Sequence, residues 1–174
     1  MKRLLVTGAS GLLGINLALR ESTRWDVTGI SNSHRLVGVP FNVIPADLST
    51  DEVIRQLIEI NRPDVVIHCA AMANIDECEK SPDKAALINS IVPGRLAEVC
   101  SKRGVRLVHL STDAVFDGDV GNYLETDTPH PLSVYAQTKL DGEKAVLDAC
   151  PQAVVARVNF YGWSLTGKRS LAEF

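Results

Sequence analysis

Short apolar runs alternate along the chain with stretches in which apolar side chains return every three or four positions. The runs at 3–6, 26–30, 43–46, 65–68, 105–110 and 154–158 predict strands. The spaced pattern predicts helices over 11–21, with Leu12, Ile15 and Leu19 on one face, and over 50–61, with Val53, Leu57 and Ile60. Ser49 or Thr50 is placed to cap the second, and Pro63 ends it. A long helix is expected over 82–103, begun at Pro82 and stopped at Gly104, and another over 132–149, with Pro151 just past its end. Between 113 and 131 the pattern lapses into loop, with Asp117-Gly118 as a turn signal. The order β-α-β-β-α-β-α-β-loop-α-β is that of an α/β fold, a doubly wound parallel sheet whose ligand site lies at the C-terminal ends of its strands.

Composition narrows the picture. A chain of 174 residues fits one domain, and 45% hydrophobic against 22% charged residues is enough to bury a core. With aromatics at 5%, that core must be aliphatic. The net charge is −3 and no Lys/Arg cluster forms a patch, which argues against nucleic acid and membrane surfaces as partners. No apolar run reaches the ~18–20 residues that span a bilayer. The N-terminus starts as a signal peptide would, but Gly8, Ser10 and Gly11 interrupt it early, so a buried strand is the better reading. Cys69, Cys78, Cys100 and Cys150 form no CxxC pair and suit no zinc spacing, so reduced thiols in a cytoplasmic protein are expected. His68 and His109 sit beside strand ends and read as satisfied structural histidines; no metal site is expected.

The first chemistry-bearing segment is Val6-Thr7-Gly8-Ala9-Ser10-Gly11-Leu12-Leu13-Gly14, between the first strand and the first helix. Glycines at Gly8, Gly11 and Gly14 let a pyrophosphate approach the backbone, and the helix N-terminus offers N–H groups and a partial positive charge. Gly14 allows close helix–strand packing. A plain tight turn is the alternative. The strand–turn–helix setting makes this a Rossmann-type NAD(P)-binding domain, with Gly8, Ser10, Gly11, Leu12 and Gly14 as its cofactor cradle. The second strand ends in Gly29-Ile30-Ser31-Asn32-Ser33-His34-Arg35, without the carboxylate that would bind a ribose 2′-hydroxyl and repel a 2′-phosphate. Ser31, Ser33 and Arg35 are candidates to meet that phosphate, which favours NADP(H) with NAD(H) possible; Arg35 as a solvated loop charge is the alternative.

Tyr135 and Lys139 lie four apart in a predicted helix, on one face. A phenol of pKa about 10 is a poor acid near neutrality, and an ammonium beside it is expected to lower that value. Such a pair can give a proton to a carbonyl oxygen as hydride arrives at the carbon. Ser111-Thr112-Asp113 follows the fifth strand, where a hydroxyl can meet the same carbonyl; the competing reading is a turn or helix cap.

In order and spacing, Gly8/Gly11/Gly14, Asp47-Leu48, Cys69-Ala70-Ala71, Asn89, Ser111-Thr112-Asp113 and Tyr135/Lys139 resemble the extended short-chain dehydrogenase/reductase family. The stretches 111–118 and 135–143 are most similar to those of the dTDP-4-dehydrorhamnose reductases, and the regulatory beta subunits of methionine adenosyltransferase have the same look. The resemblance implies that Thr112 orients a substrate carbonyl, Tyr135 is the acid/base, and Lys139 tunes Tyr135 and holds the nicotinamide ribose. It implies that Asp47 and Leu48 flank the adenine, that Cys69, Ala70 and Ala71 line the cofactor channel, and that Asn89 is a structural polar residue behind the site. Arg157, Asn159, Tyr161 and Gly162 would border the nicotinamide.

Two departures matter. Ala114 stands where the reductases usually carry tyrosine, and the family's chains continue past this point into a segment that covers the substrate. The expected division is therefore a dinucleotide-binding domain with the catalytic residues over 1–162 and the start of a truncated substrate-binding segment over 163–174. The implied function is reduction of a 4-keto nucleotide-sugar by NADPH. The alternatives are a cofactor-binding regulatory subunit, a truncated domain that binds dinucleotide without catalysis, or an epimerase or dehydratase of the same family. A homodimer through the helices at 83–103 and 132–149 is also expected to be accessible.

Overall fold

The computed structural model of this protein describes residues 1–32 and 34–162. Six strands form one sheet in the order β3-β2-β1-β4-β5-β6, and every neighbouring pair is parallel. They are β1 (Arg3–Thr7), β2 (Asp26–Ser31), β3 (Asn42–Pro45), β4 (Val65–His68), β5 (Arg106–Ser111) and β6 (Val154–Arg157). The third strand lies one residue earlier than its apolar run. The chain builds outward from β1 in one direction, then returns to lay β4 on its other side, so the sheet's switch point is between β1 and β4.

Alternation along β1 assigns its two faces. Leu4 and Val6 join Val27, Phe41 and helix α1 (Leu12–Glu21) through Ile15 and Ala18. Leu5 joins Ile30, Val66 and Leu107 against helices α2 (Asp51–Asn61), α5 (Val92–Arg103) and α6 (Val134–Ala149), through Ile54, Leu57, Leu96, Cys100 and Val146. Thr50 is the N-cap position of α2 as expected, but its side chain makes no capping hydrogen bond; Asp51 and Glu52 in the first turn complement the helix dipole instead. All four cysteines are free thiols. Among the described residues, no helix is long and apolar enough to cross a membrane.

The long helix expected over 82–103 is not continuous. It consists of α4 (Pro82–Ala86), a π-helical turn at Leu87–Ile91, and α5. Pro93 gives the reason: it has no N–H for the carbonyl of Asn89, four residues back, and its ring would clash with that carbonyl. The wider turn swings the Asn89 backbone toward α6, where Gly142 receives it; a Cβ at 142 would lie 2.1 Å from the Asn89 carbonyl oxygen. A short helix that the apolar pattern did not predict, α3 (Ile75–Lys80), precedes α4. Helix α6 begins at Val134 rather than 132, because the Ser133 hydroxyl accepts from Ala136 N–H at 3.2 Å.

Candidate active site

The turn between β1 and α1 is made almost wholly of backbone. Gly8 has φ +65°, and a Cβ there would sit 2.7 Å from the amide nitrogen of Ala70 at the exit of β4. At Gly14, a Cβ would fall 2.2 Å from the carbonyl oxygen of Gly8. The two contacts pull the turn onto the switch point and draw α1 against the strand exit. Gly11 is the N-cap of α1; no side chain caps it and its first turn holds no acidic residue. The N–H groups at this helix end, with the positive end of the dipole, therefore face a shallow cradle that suits an anion. A pyrophosphate-bearing dinucleotide fits this helix end, since no capping side chain and no acidic residue in the first turn compete for its N–H groups.

Around this cradle, Cys69 and Ala70 are half-buried and Ala71 is exposed. Burial pushes the Cys69 thiol up to about 12, so it is un-ionised and unreactive near pH 7. Asp47 is exposed and its carboxylate accepts from Ser49 N–H at 2.9 Å, while Leu48 packs against the core. Of the three candidates for a 2′-phosphate, Arg35 is exposed, Ser31 is buried at the last position of β2, and Ser33 lies outside the described residues. So do 163–174, where the second segment was expected.

The other wall comes from β5 and α6. Thr112 leaves β5 into a 3-10 turn at Asp113–Val115, and its hydroxyl oxygen accepts from Ala114 N–H at 3.1 Å. The turn-capping reading of this residue is thus correct, and the same hydroxyl lies close enough to the Tyr135 phenol to draw its pKa down. Ala114 is exposed on this turn. Tyr135 stands in the first turn of α6, whose start is held from a distance by Glu79 of α3, accepting from Val134 N–H at 2.8 Å. Burial raises the phenol's pKa and the Thr112 hydroxyl draws it partly back. The expected depression of Tyr135 by Lys139 is therefore not found. The Lys139 ammonium donates instead to the Leu110 carbonyl at 2.5 Å, and Lys139 is 2% exposed. Its own pKa is lowered to about 8 by burial, against the opposing pull of Glu143.

Asn89 is fully buried behind this wall. Its side-chain oxygen accepts from Met72 N–H at 2.8 Å, and its amide donates to the Met72 carbonyl at 3.0 Å and the Thr138 hydroxyl at 3.2 Å. It thereby fastens the chain leaving β4 to α6. Arg157, which the resemblance puts at the border of the nicotinamide, pairs with Glu143. Its guanidinium makes three hydrogen bonds of 2.7–3.1 Å to Glu143 and lies 5.0 Å from the centroid of the Phe116 ring. Asn159 reaches Asp113 at 3.4 Å, and Tyr161 is exposed.

His68 and His109 depart from their expected role as satisfied histidines. They are register partners on β4 and β5 and stack with ring centroids 5.4 Å apart. His68 Nδ1 meets the Thr7 hydroxyl at 2.7 Å. Among the described residues, its Nε2 and both ring nitrogens of His109 have no hydrogen-bond partner. Burial, then the charge of Lys139, holds His68 down at about 3 and His109 at about 2, so both rings are neutral near pH 7.

Comparison with known proteins places this geometry among relatives. The model of the family described as RmlD substrate binding domain matches residues 1–168. A dTDP-4-dehydrorhamnose reductase of Mycobacterium tuberculosis is 37% identical over 187 residues, covering 98% of this chain and 54% of the relative. Methionine adenosyltransferase 2 subunit beta of Xenopus laevis is 39% identical over 159 residues, covering 90% and 46%. The crystal structure of dTDP-4-dehydrorhamnose reductase from Bacillus anthracis in complex with NADP superposes with a TM-score of 0.79 at 29% identity, covering 94% of this chain and 57% of that one. The chain spans about half the length of these relatives.

Proposed function

Because the chain belongs to the RmlD substrate-binding-domain family, we propose that it forms the dinucleotide-binding and proton-donating part of a reductase that uses NADP(H), with NAD(H) as a weaker substitute, on a 4-keto nucleotide-sugar. The observation that carries this reading is topological: in the all-parallel sheet the glycine turn leaves β1 and Thr112 leaves β5 at the same, C-terminal edge, and the first turn of α6 brings Tyr135 near Thr112. Bound in that cradle, the reduced nicotinamide supplies hydride to the carbonyl carbon. Gly8, Gly11 and Gly14 admit the pyrophosphate, Ser10 and Leu12 border it at the helix start, and Ala70 and Ala71 leave room for the chain of the cofactor. Exposed Arg35 meets the 2′-phosphate.

Tyr135 is suited to the reducing direction. Burial keeps it a phenol, the form that gives a proton to the carbonyl oxygen as the alcohol forms. Thr112 donates a second hydrogen bond to that oxygen. Lys139, still largely an ammonium at pH 7, places a positive charge one turn along the same helix, and solvent returns the proton to Tyr135. The test is an assay with NADPH and a dTDP-4-keto sugar that follows loss of reduced-nicotinamide absorbance. Sugar-dependent oxidation that disappears in Tyr135→Phe supports the reading; tight NADPH binding without turnover would leave a domain that binds the cofactor and does no chemistry.

A second reading has its own observation. Ala114 stands where the resemblance expects a tyrosine, and the relative in Xenopus laevis is named as a beta subunit of methionine adenosyltransferase 2. In that reading the chain binds dinucleotide and a partner enzyme. Co-purification with a methionine adenosyltransferase catalytic subunit, in place of sugar turnover, would favour it.

A further inference from the structure

One buried carboxylate near the site has no part in the chemistry above. Glu143 lies on α6 one turn beyond Lys139 and is 4% exposed. It accepts the Ser111 hydroxyl at 2.5 Å from the last residue of β5, the position just before Thr112. It also accepts Arg157 Nε at 3.0 and 3.1 Å and Nη2 at 2.7 Å, from the end of β6. Three elements therefore converge on one carboxylate, and two of them present the residues that would handle the proton.

We propose that Glu143 is a positioning residue of the acid–base set: its buried carboxylate braces the strand end that presents Thr112 against the helix that carries Tyr135 and Lys139, and supplies the negative charge that keeps Lys139 an ammonium. The meaning given to Lys139 rests on the reductase reading. The groups that face Lys139 leave few other sources of that charge. From β4 come His68, neutral at about 3, and Cys69, an un-ionised thiol; from β5 come His109, neutral at about 2, and the Leu110 carbonyl. Tyr135, on the same helix, stays a phenol. Glu143 itself faces Arg157, which in turn feels Glu125. The Arg157 guanidinium, which approaches from β6, offsets the carboxylate for Lys139 only in part, since Lys139 shares a helix face with Glu143.

The spacing makes a charge effect separable from a packing effect. Glu143→Gln keeps the volume and one acceptor oxygen for Ser111 but removes the charge. Arg157→Gln does the reverse, leaving the carboxylate without its guanidinium. The experiment is an NMR titration of the Lys139 side chain in the isotopically labelled 174-residue chain, from about pH 6 to about pH 10, with no cofactor or sugar present. The expected result is a Lys139 midpoint about one unit lower in Glu143→Gln and higher in Arg157→Gln. An unmoved midpoint in Glu143→Gln, or a downward shift in both variants, overturns the inference. If Glu143→Gln does not fold, the direction of the Arg157→Gln shift decides alone. Because the readout needs no turnover, a chain that shows these shifts but never oxidises NADPH contradicts the reductase reading and leaves Glu143 in place. Turnover with an unmoved Lys139 midpoint does the opposite.

Discussion

The two walls of the cleft are built from different materials. The β1–α1 wall is backbone: glycines packed against carbonyls, a helix end with no capping side chain, and almost nothing that titrates. The β5–α6 wall is side chain: a phenol, a hydroxyl, a buried lysine and a buried carboxylate, joined by two neutral imidazoles from β4 and β5 that feel the lysine's charge. The first wall has shape and a fixed dipole, so it suits a ligand whose charge never changes. The second is a set of coupled protonation states, and it suits a reaction in which a proton moves.

Four variants or conditions test that contrast, in descending order of expected effect. Tyr135→Phe removes the proton donor while leaving the cradle intact. Sugar-dependent turnover should fall about 10²–10⁴-fold, with NADPH affinity nearly unchanged in a fluorescence titration. Equal losses of binding and turnover would mean that the two walls are not separable. Gly14→Ala attacks the other wall. Alanine would ordinarily favour a helix by about 1 kcal/mol, but here its Cβ meets a backbone carbonyl 2.2 Å away. The clash should win, lowering stability in urea by about 3 kcal/mol and NADPH affinity at least about tenfold.

The imidazole pair gives the side-chain wall a pH signature that the backbone wall lacks. Both folded values lie below the ordinary 6.5, so the unfolded chain binds more protons at intermediate pH and stability falls as pH drops below that value. From about pH 7 to about pH 5, urea unfolding should lose about 2 kcal/mol per histidine, and His109→Phe should remove about half of the loss. The same acid sensitivity in His109→Phe would contradict the assignment. The smallest expected effect is at Arg35→Ala: NADPH binding weaker by about tenfold, with NADH binding the same. A parallel loss for both cofactors would return Arg35 to the role of a solvated loop charge.

The contrast between walls also explains what was legible in the sequence. Glycine has few reasons to recur at 8, 11 and 14 after a strand, so the backbone wall could be read directly from residue type and spacing. The strands and the sheet's winding followed from apolar runs in the same way. Helix α3 was missed because its six residues, Ile-Asp-Glu-Cys-Glu-Lys, carry no apolar period; Asn74 followed by Glu77 was the available capping signal, and the Asn74 side chain does accept from Glu77 N–H. The π-helical turn was signalled by Pro93 inside a helical pattern. For the side-chain wall the sequence supplied Thr112, Tyr135 and Lys139 but not their states. That Tyr135 is raised rather than lowered, that Lys139 turns to the Leu110 carbonyl, and that Arg157 faces Glu143 depend on burial and on partners 14 to 29 residues away.

The central claim is that the chain joins a working dinucleotide cradle to this acid–base wall, and the most direct test is a titration of the folded 174-residue chain with NADPH and with NADH, following nicotinamide fluorescence. Saturable binding, tighter for NADPH and lost in Gly14→Ala, is the predicted result. A folded chain that binds neither cofactor would contradict the account.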